Sequence, residues 1–522
     1  MQPMKAALLL LTLLACVLPA AARKPDVLVI LADDLGWSDP GCYGGEIETP
    51  VLDSLAANGL RFRQFYNSAR CCPSRAALLT GLHPHQAGMG GMVDAGNSTP
   101  GPYQGWLTDR SLTLAEALRP AGYRTLHTGK WHVGENRPHW PVDRGFDHFH
   151  GLISGAMNYY DIRKCKSPGL RRVFAIDDRE FTPPAGGDFY ATDDFTTAAL
   201  RMIDATPADR PFFLYLAYTA PHWPLHAPED LIAKYEPLYR DGWDPHRKAR
   251  LERLTRAGML PEGLSLPPGE AADWSSLTAG KRREMTRKLA THAAMVERMD
   301  WNIGRVIQRL RDLDRIDNTL VVFLSDNGAS AESGPLGNNF RPDLKGAIGT
   351  VDSYHSYGIS GATLGNTPLR RFKADTYEGG IRTPCIVHWP AGLRTTPGSI
   401  TGEIGHVVDL MPTLLEITGA GYKAADPARP LTPLPGRSLL PVLRGEKSEP
   451  GPIPWEHFGN AAWREGDLKA VRPGYRKSWE LYDLASDPLE IKNLAAERPA
   501  DLERLTHAWQ AWAAEVGVRP QP

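Results

Sequence analysis

Six short segments of the chain carry residue types that can do chemistry. Asp33-Asp34 and Asp326-Asn327 each set two oxygen-bearing side chains next to one another. Adjacent carboxylates repel unless a cation sits between them. Hard oxygen donors of this kind suit calcium or magnesium better than zinc. Taken alone, an Asp-Asp pair is more often a turn or a helix cap. The second pair, followed by Gly328, favours the metal reading. Lys130 and His132 are two residues apart, so both can reach one side of an extended turn. His222 lies in Ala220-Pro221-His222-Trp223-Pro224, and histidine can move protons near neutral pH. Lys373 adds a fixed positive charge, and Arg75 adds a planar donor fork. A lone lysine is usually a solvated surface charge, and most of the 16 histidines must be ordinary. His83, His85, His127, His139 and His226 lie near these segments and are expected to stay outside the chemistry. The last segment is Cys71-Cys72-Pro73-Ser74-Arg75, where a structural cysteine at a helix start competes with a reactive one.

The elements that must position these groups follow from the apolar pattern. Residues 26–31 form an uninterrupted apolar run, read as a buried parallel strand ending in Ala32-Asp33-Asp34. Residues 123–127 read as a strand entering Gly129-Lys130-Trp131-His132. Residues 211–218 read as another, ending near His222. Residues 281–313 have the strongest helical spacing, and residues 319–324 follow as a strand ending in Ser325-Asp326-Asn327-Gly328. Helices alternating with apolar strands indicate an α/β fold with a mostly parallel central sheet flanked by helices. Four of these strands end in polar residues. In open α/β sheets ligands bind beyond the carboxyl ends of the strands, so the pattern proposes one shared site. Beyond residue 450, short strands at 470–471 and 479–484 precede a final helix near 498–515, a smaller C-terminal α+β domain. The division expected is a targeting segment at 1–22, a catalytic domain at 23–450 and the small domain at 451–522.

Residues 71–81, Cys-Cys-Pro-Ser-Arg-Ala-Ala-Leu-Leu-Thr-Gly, resemble the signature of the type I, formylglycine-dependent sulfatases, Cys-x-Pro-Ser-Arg with a Leu-x-Thr-Gly continuation. Gly129-Lys130-Trp131-His132 is similar to the family's Gly-Lys-Trp-His, and Ala220-Pro221-His222-x-Pro224 to its Ala-Pro-His-x-Pro. Lys373 ahead of Glu378-Gly379-Gly380-Ile381-Arg382 matches a further pattern. Weaker likenesses extend the match from about residue 25 to 495, including Val408-Asp409-Leu410-Met411-Pro412-Thr413 and Trp479-Glu480-Leu481-Tyr482-Asp483-Leu484. The resemblance implies an alkaline phosphatase-like fold and hydrolysis of sulfate monoesters. It implies that Cys71, not Cys72, is oxidised to formylglycine (3-oxoalanine) by a maturation enzyme. It places a metal, calcium with magnesium as the alternative, on Asp33, Asp34, Asp326, Asn327 and the residue-71 oxygen. An aldehyde hydrate carries two hydroxyls on one carbon: one attacks sulfur and expels the alcohol, and the second, once deprotonated, releases sulfate. The resemblance assigns that second proton to His132, and the proton for the leaving oxygen to His222, shared with Lys373. Arg75, Lys130 and Lys373 balance the anionic adduct, and Arg75 orients the formylglycine.

Bulk properties set the remaining bounds. The chain has 522 residues, 42% hydrophobic and 23% charged, with a formal net charge of −1. No basic stripe points to nucleic acid. Lys5, an apolar run at 6–18 and Ala20-Ala21-Ala22 read as a signal peptide, so a secreted or periplasmic location is expected. Leu13-Leu14-Ala15-Cys16 resembles a bacterial lipoprotein box, which would tether the protein to a membrane through Cys16. Cys42, Cys72, Cys165 and Cys385 form up to two disulfides or serve as small buried residues. Residues 227–280 and 330–368 are expected to border the pocket, with Tyr239, Trp243, Trp274, Tyr354 and Tyr357 as their aromatics. The substrate class is aryl sulfate or sulfated carbohydrate. A phosphonate monoester or phosphodiester hydrolase of the same superfamily is the nearest alternative, and a non-catalytic sulfated-glycan-binding protein a minor one.

Overall fold

The computed structural model describes residues 23–93, 99–184 and 189–520. The signal segment and Cys16 lie outside the described residues. Fourteen strands are described: β1 Asp26–Ala32, β2 Leu60–Tyr66, β3 Arg124–Lys130, β4 His148–Leu152, β5 Phe174–Ile176, β6 Arg179–Glu180, β7 Phe212–Ala217, β8 Thr319–Ser325, β9 Arg382–His388, β10 Ser399–His406, β11 Ile453–His457, β12 Asn460–Glu465, β13 Leu468–Arg472 and β14 Glu480–Asp483. The first ten form one sheet in the order β10-β2-β9-β8-β1-β7-β3-β4-β5-β6. Its centre, β8-β1-β7-β3-β4, is parallel throughout. β9 runs antiparallel to both of its neighbours, as do β5 and β6 to theirs.

The uninterrupted apolar run of β1 is explained by burial on both faces. Leu28, Ile30 and Ala32 enter one core with the long helix Ala279–Asp312, through Met285, Leu289, Val296, Met299, Ile303 and Val306. Val27, Val29 and Leu31 enter the other core, with the helix Cys71–Thr80 and the helix Leu410–Thr418. At the entry of β1, Arg315 grips Asp26 through two hydrogen bonds of 2.8 and 2.6 Å, and both side chains are buried. This pair clamps the start of β1 to the loop leading into β8.

The second sheet, β11-β12-β13-β14, is antiparallel. Its outer face is covered by the helix Pro499–Val516 through Leu505, Trp509 and Ala513. Its inner face packs Trp455, Ala462, Val471 and Tyr482 against Tyr66, Tyr377 and Ile381 of the main body. At this seam Lys469 donates to Glu378 at 2.8 Å and Glu490 at 2.9 Å, all three fully buried. Glu490 also accepts the Glu378 backbone N–H at 2.7 Å.

The structure differs from the sequence reading in several places. β2, β4, β5, β6, β9, β10, β11 and β12 are not among the expected strands. All five described cysteines are free thiols, with Cys71, Cys72, Cys165 and Cys385 buried and Cys42 partly so. The small-residue reading of these positions therefore holds over the disulfides. Among the described residues, no helix is long and apolar enough to cross a membrane.

Candidate active site

The four strands whose ends carry the candidate residues are neighbours in the sheet: β8, β1, β7 and β3, all pointing the same way. Asp33 N–H donates to the Ala220 carbonyl at 3.0 Å, and Asp326 N–H to Ala32 at 3.1 Å, which stitches the strand ends together. Asp34 and His132 turn the chain sharply, with φ of 66° and 58°. The left-handed region is costly for a histidine and marks a site held in place by its surroundings. Gly129 takes φ 100°, and a Cβ there would lie 1.9 Å from the Ala217 carbonyl oxygen, so only glycine lets β3 approach β7 at this point. A Cβ on Gly328 would meet the Gly379 carbonyl oxygen at 1.7 Å. That close approach carries the segment bearing Lys373 against the end of β8.

The predicted ionisable groups meet as one buried network. Lys130 Nζ donates to Asp33 Oδ2 at 2.6 Å. Arg75 Nε donates to Asp326 Oδ2 at 2.9 Å and its Nη1 to the Lys130 carbonyl at 3.0 Å. Lys373 Nζ lies 2.8 and 3.0 Å from the two oxygens of Asp34. Asn327 Nδ2 donates to Asp34 Oδ1 at 2.7 Å, and His222 Nε2 is 3.5 Å from Asp34 Oδ2. Burial opposes ionisation of Asp33, but Lys130, His222 and Arg75 hold its carboxyl below the usual range. Asp326 is pushed well up, by burial and then by the Asp33 charge. Burial works against the charge of Lys373, yet Asp34 and Glu332 raise its pKa.

Cys71 is the first residue of the helix Cys71–Thr80, all ten residues of which are buried. The Cys72 thiol donates to it, and Lys130 and His132 lie close; together they bring the Cys71 thiol well below its ordinary range. His132 is driven down to about 4, first by burial and then by Lys130, against the pull of Cys71. Cys71, His132, His222 and Lys373 line one cavity of about 750 Å³. That volume suits a sugar or aryl group.

The donor set fits a hard divalent cation. Asp33 Oδ1 and Asn327 Oδ1 are buried and have no hydrogen-bond partner among the described residues. Buried oxygens without partners are rare and call for an explanation. Two carboxylates, one of them pushed up by the other, beside an amide oxygen and Asp34 are the oxygen ligands that calcium or magnesium takes. His222 also falls within reach, since its ring and the carboxylates of Asp33 and Asp34 offer atoms within 4.8 Å of one another.

Every singled-out site residue therefore gathers at one place, while the neighbouring histidines go elsewhere. His127 Nδ1 donates to the Tyr215 carbonyl, His85 pairs with Glu456, and His139 stacks on Trp106. His83 is buried beside His406 and Trp512, and His226 contacts the Ser353 carbonyl. Residues 227–280 contribute nothing to the cavity lining, against expectation. Trp243 and Trp274 pack edge to face on each other, and Tyr239 binds Glu46. The aromatic lining comes from Trp223 and Phe340, stacked at 4.5 Å between ring centres. Arg70 and Glu332, paired at 3.1 Å, were also missed. Trp223 was signalled by its place beside His222. Glu332 had no local signal, since its partner is 262 residues away.

Acid, amide, lysine and histidine groups gathered at the carboxyl edge of this sheet are a set able to bind an anionic ester and move protons on it. The comparisons give the particular family. The family model described as Sulfatase matches residues 25–420. The chain is 34% identical to an uncharacterised sulfatase of Schizosaccharomyces pombe over 96% of both chains. It is 34% identical to the arylsulfatase of Klebsiella aerogenes, covering 81% of this chain and 93% of that one. The solved structure of Ps i-CgsB superposes with a TM-score of 0.69 at 27% identity, covering 94% of this chain and 93% of the other. The chain belongs to the sulfatase family and is a sulfatase.

Proposed function

We propose that this sulfatase cleaves sulfate monoesters of aryl or sugar scaffolds, using a formylglycine made from Cys71 and a calcium ion held by Asp33, Asp34, Asp326 and Asn327. One observation carries this reading: Cys71 opens a buried helix in the same cavity as Lys373, His132 and His222, beside partnerless ligand oxygens on Asp33 and Asn327. A formylglycine at position 71 would supply, as its hydrate, an attacking hydroxyl and a second hydroxyl for release. Calcium would supply Lewis acidity and a contact for a sulfate oxygen.

The chain's own residues supply the rest. Lys373 and Lys130 bring positive charge to the cavity and its floor, where charge on sulfate oxygens gains most from fixed donors. Arg75, bound to Asp326 and to the Lys130 carbonyl, holds the ligand carboxylate and β3 in register. His132, neutral at pH 7, has an unpartnered buried Nδ1 and can accept a proton near residue 71. His222 Nδ1 donates to the Trp223 carbonyl at 2.5 Å, which leaves Nε2 to carry a proton to the leaving oxygen. Export to a secreted or periplasmic location, with a lipid tether at Cys16 as the alternative, is supported by the pattern of residues 1–22.

The test joins peptide mass spectrometry of the Cys71 peptide to hydrolysis of 4-nitrophenyl sulfate. The reading expects the thiol replaced by an aldehyde, with turnover abolished in Cys71→Ala. An unmodified Cys71 in an active preparation would sink the formylglycine mechanism. A modified Cys71 with faster turnover of an aryl phosphodiester than of the aryl sulfate would favour the phosphodiesterase alternative.

A further inference from the structure

The catalytic groups occupy only the floor of the cavity. Its rim is formed in part by residues 165–173, which contribute Lys166, Arg171 and Arg172. This segment is anchored at both ends. The Cys165 carbonyl accepts from Arg341 at 2.8 Å, and Lys164 pairs with Asp352. At the far end Val173 N–H donates to Ser154 Oγ at 3.0 Å, and the Val173 carbonyl accepts from Ile153 at 2.9 Å.

The charges on this rim are unequally compensated. Arg171 pairs with Glu180, outside the cavity. Arg70 and Lys373 share Glu332, whose other oxygen accepts the Trp223 indole N–H at 2.5 Å. Glu135, the second carboxylate in the lining, accepts from Ser154 at 3.3 Å. Lys166 and Arg172 make no ion pair among the described residues. Lys166 is nonetheless held in place, its ammonium 4.5 Å from the centre of the Phe340 ring and 5.1 Å from that of Trp223. Cation–π contact with a stacked aromatic pair fixes a lysine head without neutralising it. Arg172 Nε is buried and has no acceptor. A concave site whose cations outnumber its carboxylates, with aromatic walls, concentrates anionic ligands.

We propose that Lys166 and Arg172 form a second anion subsite, which takes a carboxylate or second sulfate on the scaffold of the sulfate ester being cleaved. The favoured substrate is then a multiply anionic sugar sulfate, stacked on Trp223 and Phe340, rather than an uncharged aryl sulfate. The inference rests on the sulfate-ester reading above and narrows it. Arg172 supplies a planar donor fork suited to such oxygens, and Lys166 a point charge.

The experiment measures binding and turnover separately on the full chain. Calorimetry compares galactose 6-sulfate with the 2,6-, 3,6- and 4,6-disulfates of galactose, and 4-nitrophenyl sulfate reports turnover. At least one disulfate is expected to bind tenfold or more tightly than the monosulfate. In Lys166→Gln/Arg172→Gln that ratio falls to about one, while Arg172→Lys keeps most of it. Raising the salt to 0.5 M shrinks the wild-type ratio, as screening requires. A ratio near one in the wild type, or a high ratio that survives in the double variant, overturns the subsite. Disulfate preference without any sulfate ester turnover leaves the subsite standing and overturns the proposed function instead.

Discussion

Replacing Lys469 with methionine tests how the two sheets are coupled. Lys469 bridges Glu378 and Glu490 at 2.8 and 2.9 Å, with no solvent access to any of the three side chains beyond 1%. Burial, and then the Glu378 charge, push Glu490 up to about 7 from an ordinary 4.5, against the pull of Lys469. Burial also opposes the Glu378 charge, but Lys469, Arg382 and Arg464 hold that carboxyl below its usual range. One cation thus serves one charged carboxylate, while the other keeps a proton close to neutrality. Between pH 4.5 and 7 the native state holds a proton on Glu490 that the unfolded chain has released, so its contribution to stability falls as pH rises through that window and is flat above it. At about 1.4 kcal/mol per pH unit the window is worth about 3 kcal/mol. Glu378 acts with the opposite sign, its contribution being present above its ordinary pKa and lost as pH falls below it. Without Lys469, Glu490 has no cation among the described residues and Glu378 keeps only Arg382 at 3.7 Å and the Tyr66 hydroxyl at 2.9 Å, and breaking a buried ion pair in this way costs about 3–5 kcal/mol. That cost should appear in full at pH 8 and shrink at pH 5, where the native state can take up protons. Guanidinium unfolding followed by tryptophan fluorescence at the two pH values measures it. An equal loss at pH 5 and pH 8, or a loss at pH 8 under about 1 kcal/mol, would refute the account.

Lys373→Ala should lower kcat on 4-nitrophenyl sulfate by about 10²–10³-fold, the usual worth of one donor aimed at developing charge, with a smaller change in KM. A fall in KM-dependent binding alone would argue against it. Dialysis against a chelator should abolish turnover and lower the thermal midpoint, with calcium restoring both; unchanged metal-free activity would remove the ion from the site. Gly129→Ala places a Cβ 1.9 Å from the Ala217 carbonyl at a left-handed φ, so the variant should lose more than about 3 kcal/mol of stability or fail to accumulate. Wild-type stability in a denaturant melt of that variant would contradict the close β3–β7 approach.

The parts of the site that lay open to reading were those at the ends of apolar strands. β1, β7 and β8 are buried on both faces, so their runs are unbroken and their polar ends stand out; β3 is buried as well but has one aliphatic residue, Leu126, and is legible mainly by the Gly129-Lys130-Trp131-His132 that it enters. The strands away from the sheet centre hid for the opposite reason. β2 alternates arginines with aromatics, and β10 is half exposed along most of its length, so neither resembles a buried strand. β11 carries Pro454 within it, which reads as a break. The cavity rim was harder still. The Arg70–Glu332 pair and the Trp223–Phe340 stack join residues more than a hundred positions apart, and nothing in either local segment announces its partner. Residues 227–280 misled because their aromatics pack on one another and on Glu46, a satellite core that composition cannot tell from a pocket wall.

The strand order has a consequence in time as well as space. β1 lies between β7 and β8, so the floor of the site cannot close until β8 has been made. Arg75, at the Cys71 helix, precedes its buried partner Asp326 by 251 residues. At about 5–20 residues per second, roughly 13–50 s of synthesis separate the two. Throughout that interval Arg75 has Asp33, 3.6 Å away in the folded site, but not Asp326, its closer carboxylate at 2.8 Å. Under the proposed formylglycine reading, a modifying enzyme would have a schedule written into the chain order, its access to Cys71 ending when β8 completes the site.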